Sequence, residues 1–339
     1  MRKFAIITNA YKDKEMELTH KIISYIQEYG GEAVSMCEQE GTIRDCDEID
    51  FSLMPKDTEC MIVLGGDGTL IRTATRARKH GFQIPLIGVN LGTLGYLCEL
   101  EGESILKNLQ KLMKDTYMLE ERMMLEGYKK TDIHIDNENA NDKSTDMQHN
   151  IHIKDTDVQN ENRNNEHIKS TNIQDIVNEN VKPVNDTVIE KVWALNDIVI
   201  HRAGKLSLLT IHVYVDGERL GTYDADGIII STPTGSTGYN MSAGGPIVDP
   251  KAKILLLTPI NAHNLNSKGI ILRSEDVIEV ELVSRRGSEA DSAYVSCDGD
   301  RLTKLEVGDR FVVERAVHTI NICKVNKQSF LETMRKKMK

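Results

Sequence analysis

The chain has 339 residues, 28% of them charged and 40% hydrophobic, with a formal net charge of −10. That length allows about two domains of ordinary size, each able to bury a core, and the acidic balance argues against gripping nucleic acid or an anionic membrane by bulk charge. The Met-Arg-Lys start lacks the apolar core of a signal peptide, and no stretch approaches the roughly 18 apolar residues of a membrane helix, so the expectation is a cytoplasmic protein with neither partner.

The first third alternates strand and helix signals. Phe4 to Thr8 is a short apolar run rich in β-branched residues. Lys14 to Tyr29 is a helix by pattern, with Leu18, Ile22, Tyr25, Ile26 and Tyr29 spaced by three and four before Gly30-Gly31 stops it. Ala33 to Cys37 reads as a second strand. Cys60 to Leu64 is a third and ends abruptly in Gly65-Gly66-Asp67-Gly68. Thr69 to Lys79 returns to helix, and Ile84 to Val89 to strand. Such alternation predicts a mostly parallel sheet covered by helices.

After about Tyr117 the helical period fades. Trp193 to Ile200, Leu208 to Val215, Gly227 to Ser231, Ile254 to Thr258, Val277 to Val283 and Arg310 to Arg315 are short β-rich runs separated by Gly, Asn and Asp turns. They predict a second domain built of β-sheet. A last helix, about Gln328 to Met338, closes the chain and could pack on either domain. The expected partition is 1–117, 118–326 and a terminal helix over 327–339.

Residues 131–187 stand apart. This stretch is dominated by Asn, Asp, Glu, Lys and Thr, and it has no Gly, Leu or aromatic residue. No core can be built from that inventory, so it reads as a disordered insertion. Its histidines, His134, His149, His152 and His167, fit no standard metal spacing. The six cysteines (Cys37, Cys46, Cys60, Cys98, Cys297, Cys323) are likewise scattered and read as reduced thiols. Arg285-Arg286 and Arg335-Lys336-Lys337 read as solvated surface charge.

Three stretches can carry chemistry. Gly65-Gly66-Asp67-Gly68-Thr69 lies between a strand and a helix, where glycines let the backbone approach a ligand and the helix start offers unpaired N–H groups to phosphate. A carboxylate there is suited to hold Mg²⁺ or to accept a hydroxyl proton; equally, Asp67 could only cap the turn. Arg72, one turn on, either faces the same phosphates or is a surface arginine. The run Asp226 to Pro246 passes from a strand into a loop of small hydroxyl and glycine residues, many donors with little bulk, as recognition of a polar ligand requires. Trp193-Ala194-Leu195-Asn196-Asp197 places two polar groups where alternation predicts one, either a site or a turn.

Together these stretches resemble the NAD kinase family. The family pattern has a GGDGT element, a Gly-Val-Asn run matched by Gly88 to Leu97, an Asn-Asp or Asn-Glu pair, and a Thr-Pro-Thr-Gly-Ser-Thr element matched from Thr232. The resemblance implies a Rossmann-like N-terminal α/β domain, a C-terminal β-sandwich, and a ligand between them. It implies transfer of a phosphoryl group from ATP, another triphosphate or polyphosphate to the 2′-hydroxyl of the adenosine ribose of NAD, with Asp67 as proton acceptor and Gly65, Gly66, Gly68 and Thr69 as the phosphate loop. It implies NAD contacts from Gly68, Arg72, Asn196, Asp197, Asp226, Thr234, Thr237, Gly238, Tyr239, Asn240, Met241 and Ser242. A divalent ion, Mg²⁺ first, and a homodimer or tetramer belong to the same expectation. Two rival readings are a lipid or sugar kinase sharing GGDGT, and a non-catalytic NAD-sensing module. The sequence departs from the family pattern at Gly238, where Ala is common; at Asp224, where many members carry a basic residue; and in the insertion.

Overall fold

The computed structural model describes residues 1–39, 42–43, 46, 49–93, 95–102, 104–130, 190–203, 208–263, 268–284, 292–326 and 328–337. The insertion expected over 131–187, with its four histidines, lies outside the described residues, as does Leu94.

In chain order the first part runs β1 (Lys3–Thr8), α1 (Glu17–Glu28), β2 (Glu32–Ser35), the two-residue strands β3 (Glu38–Gln39) and β4 (Thr42–Ile43), β5 (Cys60–Gly65), α2 (Asp67–Lys79), β6 (Leu86–Asn90), β7 (Leu100–Glu101), α3 (Ser104–Met113) and β8 (Met118–Arg122). Then follow β9 (Leu125–Lys130), β10 (Val192–Ala194), β11 (Asp197–Arg202), β12 (Leu209–Val215), β13 (Glu218–Ala225), β14 (Gly227–Ser231) and the single turn α4 (Tyr239–Ser242). The chain ends with β15 (Ile254–Ile260), β16 (Ile270–Arg273), β17 (Ile278–Val283), β18 (Ser292–Cys297), β19 (Asp300–Glu306), β20 (Arg310–Arg315), β21 (Ile320–Lys324) and α5 (Phe330–Lys337).

Among the described residues three large sheets result, beside the two-stranded pair β3-β4. The first has the order β2-β1-β5-β6-β21-β8, with β7 also paired to β6. Every pairing in it is parallel except β21 with β8. Its central strand β5 is buried along its whole length, as a strand covered on both faces must be. On one face α1 and α3 bury Leu18, Ile22, Ile26, Ile105, Leu109 and Leu112. On the other, α2 buries Leu70, Ile71, Ala74 and Ala77, in a cluster that also takes in Leu195 and Met124. Each such large aliphatic side chain contributes about 1.5–3 kcal/mol when fully buried.

The other two sheets, β10-β9-β20-β17-β12-β13 and β16-β15-β14-β11-β18-β19, are antiparallel throughout. They share one core, in which Ile211, Val213, Val280 and Phe311 of one meet Ile198, Ile200, Ile228 and Ile230 of the other. Alternate residues of β12 and β17 are buried, the signature of a sheet with one covered face. The α/β-plus-sandwich architecture expected from the sequence is therefore present.

Several boundaries differ. Helix α1 begins at Glu17, not Lys14, because Glu15 and Met16 adopt positive φ angles of 56° and 58°. Its start is held by the Asp13 carboxylate, which accepts from Leu18 N and Thr19 N, both at 2.9 Å. Helix α2 begins at Asp67, two residues before the sequence placed it. The boundary at 117/118 puts β8 and β21 with the second domain, although both strands belong to the first sheet. The terminal helix lies against the first domain, with the Phe330 ring 6.4 Å from that of Tyr96. Strands β9 and β10 are antiparallel neighbours, Val192 facing Gly127, so the chain leaves and re-enters at the open end of one hairpin.

Candidate active site

Strand β5 ends at Gly65, Gly66 is the N-cap of α2, and Asp67 is the first helical residue. The run Gly88 to Leu97 folds over this corner. Asp67 Oδ2 accepts from Tyr96 N at 2.5 Å, and Oδ1 accepts from Leu97 N at 3.1 Å and Cys98 N at 3.2 Å. Gly95 makes this possible: a Cβ there would stand 2.0 Å from Oδ1. Asp67 therefore does more than cap its own turn. Three backbone N–H groups thus fix the carboxylate, and the Cys98 thiol bonds to it as well. Burial, the Asp67 charge and that bond push the thiol up, which keeps it neutral.

Gly68 stands next to Arg72, whose Nη1 is 3.5 Å from where a Cβ on Gly68 would be, and Thr69 is buried in the corner. Lys12, on the turn after β1, reaches in from the third side. Its Nζ is 3.3 Å from the position of a Cβ on Gly66 and 3.3 Å from that on Gly92.

A pocket of about 610 Å³ opens in the sandwich domain, lined by Asn196, Asp197, His201, Arg202, Asp226, Tyr239, Asn261 and Asp298 among others. The Asn196-Asp197 turn is held from below by one carboxylate. Asp298 accepts from Leu195 N and Asn196 N at 2.7 Å each and from Asp197 N at 3.2 Å. It also accepts at 2.7 Å from the hydroxyl of Thr75, which lies on α2. Asp197 is buried with that second carboxylate beside it. Burial first, and then the Asp298 charge, push its carboxyl up to about 7. Burial also raises Asp298, against the pull of its four hydrogen bonds. Asn196 Oδ1 is buried and has no hydrogen-bond partner among the described residues, an orphan acceptor in a pocket wall.

The hydroxyl-rich loop is stitched to this turn. Thr232 N donates to Asn196 O at 2.8 Å and Thr232 Oγ1 to Leu195 O at 2.7 Å. Any side chain at Gly235 would put its Cβ 2.2 Å from Asn196 O. Thr234 accepts at 3.3 Å from Arg122, a buried arginine paired with Glu120 on β8, which ties the loop to the first sheet. Thr237 Oγ1 donates to Thr234 O at 3.3 Å, and Gly238 faces the Asn196 amide.

The expected ligand contacts thus divide. Asn196, Asp197, Asp226 and Tyr239 share the pocket; Gly65, Gly66, Asp67, Gly68, Thr69 and Arg72 form the separate corner at the start of α2. Asn240 is fully buried, and both ends of its side-chain amide are used within the fold. Nδ2 donates to Ser236 O and Pro246 O, and Oδ1 accepts from Thr258 on β15 at 2.7 Å. Its side chain therefore braces the loop against β15. Met241 and Ser242 lie on the exposed face of α4.

The sequence reading missed Asp298, Thr75, Arg202, Arg122 and Lys12. Asp-Gly at 298–299 is an ordinary turn signal, and nothing local marks it as a clamp. At Asp224, the hydroxyl of Thr210 donates to the carboxylate at 2.7 Å. A cation does stand by Asp226, but it is Arg202 from the neighbouring strand, at 3.1 Å. Among the described residues no group of three His, Cys, Asp or Glu side chains could hold a metal ion.

Comparison with known proteins shows the family of the chain. Residues 4–117 match the family model of the ATP-NAD kinase N-terminal domain, and residues 195–325 that of the ATP-NAD kinase C-terminal domain. The chain is 46% identical over 338 residues to a NAD kinase of Agathobacter rectalis, covering 100% of this chain and 99% of the relative. It is 36% identical to a NAD kinase of Lachnospira eligens, with both chains covered completely. In fold it is similar to yeast NADH kinase complexed with NADH, with a TM-score of 0.71 at 21% identity, covering 100% of this chain and 87% of that one. It is also similar to an Archaeoglobus fulgidus NAD kinase in complex with ATP, with a TM-score of 0.63 at 18% identity and 98% of both chains covered.

Proposed function

The chain belongs to the ATP-NAD kinase family, and from that premise we propose how its residues divide the work. It is a NAD kinase, a phosphotransferase that makes NADP from NAD and ATP. The lipid- and sugar-kinase alternatives fall with the family match, which covers both domains.

In the proposed reaction the ribose 2′-hydroxyl lies against the Asp67 carboxylate, which its three backbone N–H donors hold in place. The hydroxyl oxygen attacks the terminal phosphorus of ATP, its proton passes to Asp67, the bond to the bridging oxygen breaks, and ADP leaves. Phosphoryl transfer asks chiefly for alignment and charge stabilisation, and Asp67 is held by three backbone donors instead of a mobile side chain. The pocket holds the dinucleotide. Asn196 Oδ1 takes an amide or amino N–H of NAD, satisfying the orphan acceptor. Asp197, poised near neutrality, can donate or accept there. Asp226, with Arg202, meets a polar group of the ligand.

What carries this reading is one linkage: the helix that begins at Asp67 bonds through Thr75 to Asp298 in the wall of the pocket. A divalent ion fits as a companion of the donor's phosphates, since Mg²⁺ commonly keeps its waters and binds through substrate phosphates with one or two carboxylates. Polyphosphate as a second donor, a dimeric or tetrameric assembly, and a cytoplasmic location are further parts of the proposal. No helix among the described residues is long and apolar enough to cross a membrane.

The test is formation of NADP and ADP in equal amounts from NAD and ATP by the purified chain. NAD binding without NADP formation would favour the sensing module instead.

A further inference from the structure

Lys12 sits on a rigid turn. Lys12 N and Asp13 N both donate to Asn9 O, at 3.0 and 3.1 Å, and Asn9 N donates to Leu64 O at 2.8 Å, just before the glycine corner. Asp13, the next residue, is buried and locked onto α1 through Leu18 and Thr19. The base of the Lys12 side chain is therefore fixed on both sides. Its ammonium lies beside two glycines, Gly66 immediately before Asp67 and Gly92 in the run that holds the Asp67 carboxylate. Any side chain at either position would abut Nζ at 3.3 Å, so the two glycines keep open space around this charge. Among the described residues no carboxylate pairs with it.

An ammonium with no carboxylate partner among the described residues, on a fixed stem, over a glycine corner beside the reacting centre suits a multiply charged anion. Lysine serves well there as a point charge with three donors. We propose that Lys12 grips the terminal phosphates of the phosphoryl donor and draws the transferred group against Asp67. Three positive contributions then surround the donor: Lys12, the N–H groups at the start of α2, and the Arg72 side of the corner. The assignment rests on reading Gly65–Thr69 as the donor's phosphate corner. It gives Lys12 no part in holding NAD, whose pocket is lined by other residues.

The experiment compares the whole protein with Lys12→Ala and Lys12→Arg. Loss of one charged hydrogen bond raises KM for ATP by about 10- to 100-fold in Lys12→Ala, and kcat falls as well. Lys12→Arg restores part of both. The affinity for NAD, measured by calorimetry, stays within about twofold, and the melting temperature is unchanged because the side chain is exposed. Inhibition by ADP weakens in Lys12→Ala while inhibition by AMP, which lacks the outer phosphates, does not. An unchanged KM for ATP overturns the proposal. So does a loss that falls on NAD, since the phosphate would then belong to the dinucleotide. If the unaltered protein forms no NADP, the functional reading has failed, and inorganic tripolyphosphate still decides on Lys12. Equal binding of it to Lys12→Ala and the parent chain rejects the assignment.

Discussion

The hydroxyl of Thr75 donates to Asp298 Oδ2 across 2.7 Å, and this bond joins the helix of the reacting carboxylate to the turn that faces the dinucleotide pocket. Thr75 is eight residues beyond Asp67, about 12 Å along a regular helix. Thr75→Val keeps the shape and removes the donor. It should lower stability by about 1–3 kcal/mol, because Asp298 keeps its position with one partner fewer, and it should reduce kcat several-fold as α2 loosens from the pocket. Thr75→Ser retains the hydroxyl and should recover most of both. Melting curves and turnover decide this; a valine variant matching the parent in both measures removes the linkage from the mechanism.

Asp67→Asn should cost about 10²–10⁴-fold in kcat, the usual range for loss of a general base, with NAD affinity changed far less. It is not a silent isostere. The amide nitrogen must face at least one of the N–H groups of Tyr96, Leu97 and Cys98, donor against donor. A loss of about 1–3 kcal/mol of stability should therefore accompany the loss of rate. Turnover above about a tenth of the parent value would remove Asp67 from its proposed role as base.

Asn196→Ala should weaken NAD binding by about 1–3 kcal/mol and leave KM for ATP alone, since the residue lines the pocket and not the corner. Its own Oδ1 has no partner among the described residues, so truncation strands no donor inside the protein, and stability should change little. Calorimetric titration with NAD makes the comparison, and an unchanged dissociation constant would contradict the assignment.

Asp197 carries a pH signature. Its carboxyl lies near 7 in the fold against an ordinary 3.8, so the native chain holds a proton that the unfolded chain releases. That contribution is fully present below about pH 4 and is lost as pH rises through about 7. Asp197→Asn, which cannot ionise, should gain stability relative to the parent across this window. Melting temperatures at pH 5 and pH 8 should show a larger gain at pH 8, and equal gains at the two pH values would mean that Asp197 is charged throughout.

Removing residues 131–187 and joining the flanking chain with a short Gly-Ser turn should leave folding and NADP formation nearly intact. The strands on either side, β9 and β10, are already antiparallel neighbours, so a tight turn can close them, and shortening a long connection changes closure entropy little. An insoluble or inactive product would show that the segment does more than join them.

Much of this could be read from residues alone. The glycine corner, the Asn196-Asp197 pair and the loop from Thr232 each occupy consecutive positions, so their chemistry is local. What escaped reading depends on distant partners. The Asp67 carboxylate is held by backbone N–H groups some thirty residues on, which leave no side-chain signature. Asp298 acts on a turn about a hundred residues earlier in the chain. Helix α3 was legible and missed: Ile105, Leu109, Leu112 and Met113 carry a helical period and are buried. Strand β21 was not legible, because nothing in Ile320–Lys324 tells which sheet will accept it.

That last strand sets an order of events during synthesis. It lies between β6 and β8, two strands made some two hundred residues earlier. While the ribosome is still translating the sandwich, the growing α/β half keeps an open slot, with backbone groups on both sides unpaired. Vectorial folding, in which each half matures as it emerges, is therefore closed to this chain. The half that carries the glycine corner is completed only after the other has been made, and a chain released early exposes two sheet edges to its neighbours. The connectivity thus makes completion of the catalytic half a checkpoint on full-length synthesis.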